Sequence, residues 1–151
     1  MTATSLDTDL VVVDASVSLK WVLDDEESVA RSIALRDEAH RQRAQMVAPS
    51  LWIYEVTNGL VVANLRGRIG DSQSRRALQL LQEVGVRLVD PKPEDCLQTA
   101  ARLGLSAYDA AYVALAGATR AVLWTGDRRL FEKTRQESDL VRWIGDYGAL
   151  G

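Results

Sequence analysis

The apolar positions along the chain alternate between short unbroken runs and longer segments with helical spacing. Five short runs predict buried strands, at residues 10–13, 46–48, 86–89, 121–124 and 141–144. The intervening segments predict helices, at residues 15–23, 26–43, 51–66, 72–84, 94–103, 107–119 and 128–135. Because strands alternate with helices, we expect an α/β fold. It would be a three-layer α/β/α domain around a parallel sheet of about five strands.

The pattern runs through the chain without a repeat or a long linker, and so it predicts one domain. We expect a flexible N-terminal tail over residues 1–9 and a globular domain over residues 10–147. The chain has 151 residues, of which 47% are hydrophobic and 26% are charged, values typical of a globular domain. No apolar run approaches the roughly 20 residues of a membrane span, and no signal-peptide pattern precedes the first strand. We therefore expect a cytoplasmic protein without membrane contact.

Composition excludes several kinds of chemistry. The only cysteine is Cys96 and the only histidine is His40, so neither an internal disulfide nor a cysteine-rich zinc site can form. A serine triad would have to use His40, which lies in a polar run without a nucleophile motif. The net charge of −3 makes non-specific wrapping of nucleic acid unlikely. The acidic run at residues 24–27 is interpreted as the N-terminus of a helix.

Motif searches narrow the remaining options. The chain contains no glycine-rich dinucleotide fingerprint and no phosphate-binding P-loop. After the first strand, Ser16 stands where an aspartate-nucleophile phosphatase carries its second acid. A phosphoacceptor domain would need a carboxylate pair there and a lysine after the last strand, and neither is present around Asp14 or Ile144. Catalysis by this chain would therefore depend on isolated carboxylates.

Four carboxylates are predicted to meet at one edge of the sheet. Asp14 follows the first strand and Asp127 follows the fourth, and ligands of open α/β sheets bind beyond these carboxyl ends. Glu55 and Asp109 lie in helices that begin near the same edge. Asp14 and Asp127 are also suitable helix N-caps, and Asp109 with Ser106 resembles a capping box.

Glu55 and Asp109 are difficult to explain by capping alone, because their helices are apolar on almost all sides. A buried carboxylate costs several kcal/mol unless it is paired or bound to a cation. Asn58, one turn beyond Glu55, is positioned to orient it by a hydrogen bond. Four neighbouring carboxylates would raise one another's pKa values, and oxygen-only ligands suit Mg²⁺ or Mn²⁺. Such an ion can activate water and stabilise charge on a phosphodiester.

The acids occur in four short motifs that follow one another in a fixed order. The motifs are Asp14-Ala-Ser16, Tyr54-Glu55-Val-Thr-Asn58, Ser106-Ala-Tyr-Asp109-Ala-Ala-Tyr-Val-Ala-Leu and Thr125-Gly-Asp127-Arg-Arg-Leu130. In order and spacing this set resembles the PIN-domain family and, more narrowly, the VapC-type toxins of bacterial toxin–antitoxin pairs. The resemblance covers residues 10–147. It implies that Asp14, Glu55, Asp109 and Asp127 are the catalytic and metal-binding acids, with Ser16 and Thr125 in support.

The resemblance also implies an activity and partners. We expect a Mg²⁺- or Mn²⁺-dependent endoribonuclease that hydrolyses RNA phosphodiester bonds and leaves 5′-phosphate and 3′-hydroxyl ends. We expect a homodimer silenced by a VapB-type antitoxin, and the apolar helix at residues 51–65 suits burial against a second subunit. Arg128 and Arg129 follow Asp127 directly, so they are candidate RNA contacts.

Two alternatives remain open at this stage. One is a PIN-type RNA-processing nuclease that has no antitoxin. The other is a non-catalytic phosphoacceptor or binding module with flavodoxin-like layering. Metal binding by all four acids would separate the nucleases from the binding module. A small antitoxin-like reading frame beside the gene would separate the toxin from the processing enzyme.

Overall fold

The computed structural model describes residues 9–148, and within that range it has five strands and seven α-helices. The strands are β1 (Leu10–Val13), β2 (Gln45–Ala48), β3 (Arg87–Leu88), β4 (Val122–Thr125) and β5 (Val141–Trp143). The helices are α1 (Ala15–Leu19), α2 (Val29–Arg41), α3 (Trp52–Leu65), α4 (Asp71–Glu83), α5 (Pro93–Leu103), α6 (Ala107–Thr119) and α7 (Arg128–Thr134). A short 3-10 turn, Ile144–Asp146, follows β5.

The strands form one sheet in the order β3-β2-β1-β4-β5, and every neighbouring pair is parallel. This confirms the predicted parallel α/β fold. The chain winds outward from β1 through β2 to β3, and then returns to place β4 on the other side of β1. Because parallel crossovers are right-handed, the two directions of winding place helices on opposite faces of the sheet. The reversal also opens a crevice where β1 and β4 end.

The hydrophobic core draws residues from both sides of the sheet, and its centre includes β1 and helix α6, which packs against that strand. Val12 and Val13 have no exposed surface, and every residue from Ala110 to Ala116 is buried. Helix α5 packs in turn on α6. This burial explains why the segment at residues 107–119 is apolar almost all round, and it fixes the first turn of α6 beside the end of β1.

Helices α1 and α3 lie unusually close together. A Cβ atom at Gly59 would come within 2.3 Å of Leu19 Cδ1, so the absence of a side chain at Gly59 permits the close approach. The contact holds the N-terminal half of α3 next to α1, which begins at the end of β1. The first turn of α3, which carries Glu55, is therefore held close to the carboxyl edge of the sheet.

The predicted element limits are wrong at several points. Helix α1 ends at Leu19 and α2 begins only at Val29, so residues 24–27 form turns and not the N-terminus of a helix. The backbone of Ser28 is left-handed, with φ of 59°. Arg68 forms ion pairs of 2.6 Å with both Asp25 and Glu26, and it holds the pKa of Asp25 below its usual value. Strand β3 has two residues, and β5 ends where the 3-10 turn begins.

The predicted tail at residues 1–9 lies outside the described residues except for Asp9, and it stays a prediction. The backbone carbonyl of Asp9 accepts a hydrogen bond from the Gln45 amide, at 2.8 Å. Between residues 9 and 148, no helix is both long enough and apolar enough to cross a membrane.

Candidate active site

Asp14 is held by hydrogen bonds at both carboxylate oxygens. Oδ1 accepts from the Val17 amide at 3.0 Å and from the Ser16 hydroxyl at 2.5 Å, and Oδ2 accepts from the Thr125 hydroxyl. The residue caps α1, as the sequence predicts, and it is only 5% exposed. Burial raises its pKa from 3.8 to about 6, although the hydrogen bonds from Ser16, Thr125 and Val17 oppose that shift.

The two hydroxyl groups on Asp14 also brace the loop after β4. Ser16 Oγ accepts a hydrogen bond from the Gly126 amide at 2.8 Å, and Thr125 Oγ1 accepts one from the Asp127 amide at 3.0 Å. Each hydroxyl therefore donates to the carboxylate at the end of β1 and accepts from the backbone that follows β4. Ser16 and Thr125 thus fix Asp14 relative to Asp127.

Glu55 lies half-buried in the first turn of α3, and Tyr112 holds it in place. The Tyr112 hydroxyl donates to Glu55 Oε1 at 2.6 Å, and Tyr112 itself is 2% exposed. Burial raises the pKa of Glu55, and the carboxylates of Asp14, Asp109 and Asp127 add to the effect. The sequence interpretation gave the orienting role to Asn58, which lines the cleft one turn further along α3.

Asp127 and Asp109 lie at the N-terminal ends of two further helices at the same edge. Asp127 Oδ1 accepts from the Leu130 amide at 3.2 Å and caps α7, as the sequence predicts. Ser106 caps α6 by accepting from the Asp109 amide at 3.1 Å, and the Asp109 side chain lines the cleft. Burial raises the pKa of Asp109, and the negative charge of Asp127 adds to this shift. The positive charges of Arg129 and Lys133 oppose it.

All four acids line one open cleft of about 520 Å³ at the ends of β1 and β4. Its other lining residues are Ala15, Ser16, Leu19, Leu51, Tyr54, Asn58, Gly59, Tyr108, Tyr112 and Leu130. Of the seven residues predicted as catalytic or supporting, six line this cleft, and Thr125 lies buried behind Asp14. The fold therefore brings together carboxylates that are more than 100 positions apart in the chain.

The two arginines predicted as RNA contacts point to different places. The Arg128 guanidinium lies 4.4 Å from the centre of the Trp143 ring, on the side of β5. Arg129 lies close enough to Asp109 to lower its pKa, and so does Lys133. Sequence reasoning missed Tyr112, which lines the cleft, and the nearby cation Lys133, whose Nζ donates to the Gly104 carbonyl at 2.8 Å. The spacing of Tyr112 three residues after Asp109, on one helical face, was the available signal for the tyrosine.

The chemistry of these side chains fits a hard divalent cation, since the cleft offers carboxylate oxygens and no nitrogen or sulfur ligand. Across residues 9–148, however, no three His, Cys, Asp or Glu side chains are grouped closely enough to hold a metal ion. In this arrangement an ion would be held by one or two carboxylates at a time, with water completing its shell. Mg²⁺ is commonly bound in that way. The complete set of four ligands stays a prediction.

Comparisons with known proteins agree with this geometry. The PIN domain family model matches residues 11–136. Ribonuclease VapC9 of Mycobacterium tuberculosis and VapC ribonuclease Mb0985 of Mycobacterium bovis are each 36% identical over 121 residues, covering 80% of this chain and 88% of theirs. Exonuclease VapC9 of Pyrobaculum aerophilum is 32% identical over 104 residues, covering 69% of this chain and 78% of its own. The crystal structure of PAE2754 from Pyrobaculum aerophilum superposes with a TM-score of 0.68 at 24% identity, covering 95% and 98% of the two chains.

The fold and the cleft define an α/β protein with a carboxylate site at the point where the strand order reverses. The chain belongs to the PIN-domain family, and its identified relatives carry VapC names. The resemblance inferred from the four motifs is thereby confirmed, and the flavodoxin-like binding module is set aside. Nucleases of this family generally depend on a divalent metal.

Proposed function

We propose that this protein is a divalent-metal-dependent endoribonuclease that hydrolyses RNA phosphodiester bonds, and that it is the toxin of a toxin–antitoxin pair. One observation carries the proposal: four carboxylates line a single cleft. The pKa values of Asp14, Glu55 and Asp109 are raised there by burial and by the other acids. A site built at such an electrostatic cost is typical of function rather than of stability.

The four acids and the residues that hydrogen-bond to them have different parts in this proposal. Asp14, Glu55, Asp109 and Asp127 would supply the oxygen ligands for Mg²⁺ or Mn²⁺, one or two at a time in the present arrangement. The ion would supply activation of water and stabilisation of charge on the phosphate. Ser16 and Thr125 orient Asp14 through the hydroxyl hydrogen bonds, and Tyr112 orients Glu55. A substrate phosphodiester would lie in the cleft between the ends of β1 and β4.

The proposed partners are an antitoxin and a second copy of the chain. The names of the VapC relatives favour a VapB-type antitoxin, and the exposed apolar residues Val61 and Leu65 of α3 are suitable for a homodimer or antitoxin contact. We expect the protein and its antitoxin to act in the cytoplasm. The test uses the small protein encoded by a neighbouring reading frame. If this small protein copurifies with the chain and inhibits its cleavage of RNA, the chain is a toxin and not an RNA-processing nuclease.

Cleavage of a covalently closed circular RNA is the decisive experiment, because a relative is named an exonuclease. A circle has no end from which an exonuclease can start, so its linearisation requires an internal cut. We expect the wild-type protein to open the circle with Mg²⁺ or Mn²⁺, excess chelator to stop the reaction, and Asp14→Asn to be inactive. Degradation of linear RNA alone would establish an exonuclease, and cleavage in excess chelator would contradict the metal mechanism.

A further inference from the structure

Two tyrosines at the rim of the cleft are largely exposed. Tyr54 is 78% exposed and Tyr108 is 69% exposed, and both line the carboxylate cleft. Each directly precedes one of its acids, because Tyr54 is followed by Glu55 in α3 and Tyr108 is followed by Asp109 in α6. Successive side chains on a helix point about 100° apart, which is consistent with a half-buried acid and an exposed ring at each position. Two different helices therefore present the same pair of groups to one cleft.

The electrostatics of the cleft favour a non-ionic contact with RNA. The chain carries a net charge of −3, and the cleft itself collects four carboxylates, so Coulomb forces from the protein do not favour a polyanion there. Arg129 and Lys133 place positive charge beside Asp109 only. Aromatic side chains bind single-stranded nucleic acid by stacking on the bases, and this contribution does not depend on charge.

The surroundings of the two rings favour nucleobases over a protein surface. The cleft that the rings line also contains Glu55, Asp109 and Asn58, so a partner seated on the rings would have to cover charged and polar groups as well as apolar ones. A phosphodiester bound at the acids would bring its flanking nucleotides to the rim, where both rings lie. The phenol ring has an apolar face for a base and a polar end for water.

We propose that Tyr54 and Tyr108 stack on the bases that flank the scissile phosphodiester and so hold single-stranded RNA across the acidic cleft. This inference rests on the proposed ribonuclease function, and it assigns the rings a part in substrate binding. Stacking is sequence-tolerant, so it would position the strand without selecting a particular base.

The test combines protein variants with RNA that lacks single bases. A short single-stranded RNA with one mapped cleavage position is prepared intact and with an abasic ribose on either side of that position. Fluorescence anisotropy measures the affinity of each RNA for the protein. The non-cleaving parent is the Asp14→Asn variant. It is tested alone and in combination with Tyr54→Ala, Tyr54→Phe, Tyr108→Ala or Tyr108→Phe. The value of kcat/KM is measured for the same tyrosine changes in the otherwise wild-type protein. Leu97→Ala is the matched control, because Leu97 is 73% exposed on α5 and does not line the cleft.

We expect each alanine variant to lose about 5- to 150-fold in affinity, which is ~1–3 kcal/mol per stacked base at ~1.4 kcal/mol per tenfold. The phenylalanine variants and Leu97→Ala should bind like the parent. Removing the matching base should cost the parent the same factor and cost the alanine variant nothing further. Unchanged affinity in both alanine variants, equal losses for alanine and phenylalanine, or additive losses of ring and base would each overturn the proposal.

The outcomes also separate this proposal from the function on which it rests. If the wild-type protein cleaves RNA, and the alanine variants match the parent in affinity and the wild type in kcat/KM, only the stacking would be removed. Alanine variants that bind RNA normally but change the oligomeric state in sedimentation would assign the rings to a protein interface, and this too would overturn the proposal. A wild-type protein that neither binds nor cleaves RNA would remove the ribonuclease function and the stacking together.

Discussion

At the scale of single residues, the polar groups of the cleft are shared between the fold and the site. Asp14 caps α1 while its carboxylate faces the cleft, and Asp127 does the same for α7. A substitution at either position therefore tests both roles at once unless the new residue can still cap a helix. Asparagine meets this condition, since it is as good an N-cap as aspartate.

Replacing Asp14 by asparagine should stabilise the metal-free protein at neutral pH. The pKa of the folded carboxyl, about 6, lies above the unfolded value of 3.8, so between these values the folded state binds more protons than the unfolded state. The unfolding free energy contributed by Asp14 therefore falls as pH rises through this window, and the whole penalty is present above it. With each pKa unit worth ~1.4 kcal/mol, we expect Asp14→Asn to gain about 1–3 kcal/mol at pH 7.

Denaturant unfolding in excess chelator, at pH values from 4 to 7, would measure this effect. The gain should shrink toward zero at pH 4, where the wild-type carboxyl is mostly protonated in the folded state. Comparing the two proteins at each pH removes the titration of all other groups. A variant less stable than the wild type at pH 7 would show that the hydrogen bonds to the ionised Asp14 outweigh its burial.

Tyr112→Phe should weaken metal binding with little effect on folding. The variant keeps the buried ring and loses only the hydroxyl that donates to Glu55 Oε1. Because Glu55 is half-buried, water can replace that donor, and we expect the unfolding free energy to change by less than about 1 kcal/mol. Removal of a group that orients a metal ligand typically costs roughly 10- to 100-fold in metal affinity.

Titration with Mn²⁺, followed by calorimetry, provides the measurement for Tyr112→Phe. Tyr147→Phe is the matched control, because that ring packs edge-on against Trp124 and does not line the cleft. Equal Mn²⁺ affinity in the wild type and Tyr112→Phe would show that Glu55 needs no partner, or that it is not a ligand.

Sequence reasoning reached the acids at this scale, because each one follows a strand or interrupts an apolar helix. It missed the partner of Glu55. The hydrogen bond between Tyr112 and Glu55 spans 57 positions and exists only because α3 and α6 meet at the sheet edge. In the sequence, Tyr112 is one apolar residue among many in a buried helix.

At the scale of elements, the site depends on the junction between β1 and β4. The pairing of Val13 with Trp124 places Asp14 directly beside Thr125, and the two hydroxyl groups of Ser16 and Thr125 complete the connection. The strands themselves were predictable from their β-branched runs. Their order was not, because a run of apolar residues does not specify its neighbours in the sheet.

The limits of α2 were mispredicted for a reason that is also non-local. Residues 24–27 have the acidic character of a helix N-terminus, yet Arg68 draws Asp25 and Glu26 into ion pairs more than 40 positions away. The left-handed backbone of Ser28 then delays the helix until Val29. The local preference was real, but contacts with the turn between α3 and α4 outweighed it.

Thr125→Val should disrupt the junction without changing its shape. Valine matches threonine in volume, but it leaves Asp14 Oδ2 without its hydroxyl donor and the Asp127 amide without its acceptor. Asp14 is 5% exposed and Thr125 has no exposed surface, so we expect a loss of about 1–3 kcal/mol in unfolding free energy and a large loss of cleavage.

Thr125→Ser is the matched control for the junction, since it keeps the hydroxyl and removes a buried methyl group. We expect it to lose about 1 kcal/mol of stability through the small cavity and to keep most of its activity. Thermal unfolding and cleavage of circular RNA, measured on both variants, would separate the two effects. Similar activity in Thr125→Val and Thr125→Ser would show that the hydroxyl is dispensable to catalysis.

At the scale of the whole molecule, the balance of charge limits how RNA can approach. A chain with 18 basic and 21 acidic residues has no general attraction for a polyanion, so the approach depends on where the few nearby cations lie. The sequence placed Arg128 and Arg129 together because they are adjacent. Side chains of consecutive helical residues diverge, however, and Arg128 is drawn over the Trp143 ring.

The cations near the cleft are therefore expected to act unequally on RNA binding. Arg129 and Lys133 lie near enough to Asp109 to lower its pKa, and they are four residues apart on one face of α7, so a phosphate entering beside Asp109 would meet both. Each phosphate contact on a single strand contributes about −0.7 to the slope of log affinity against log salt concentration. We expect Arg129→Ala combined with Lys133→Ala to weaken binding at low salt and to flatten that slope by about 1, while Arg128→Ala changes it little.

Anisotropy titrations of single-stranded RNA in chelator, from low to moderate salt, would give the slopes for the wild type and these variants. Chelator prevents cleavage and removes any metal contribution, so the slopes report protein–phosphate contacts alone. Arg128→Ala serves as the internal comparison, because it removes one positive charge from the position of α7 that precedes Arg129. A larger effect from Arg128→Ala would move the RNA path toward Trp143 and β5.

Equal slopes in all variants would mean that α7 contacts no phosphate. The next basic surface to test would then be the cluster of Arg66, Arg68, Arg75 and Arg76. Of these, Arg68 is already committed to Asp25 and Glu26, so its removal should affect RNA binding least.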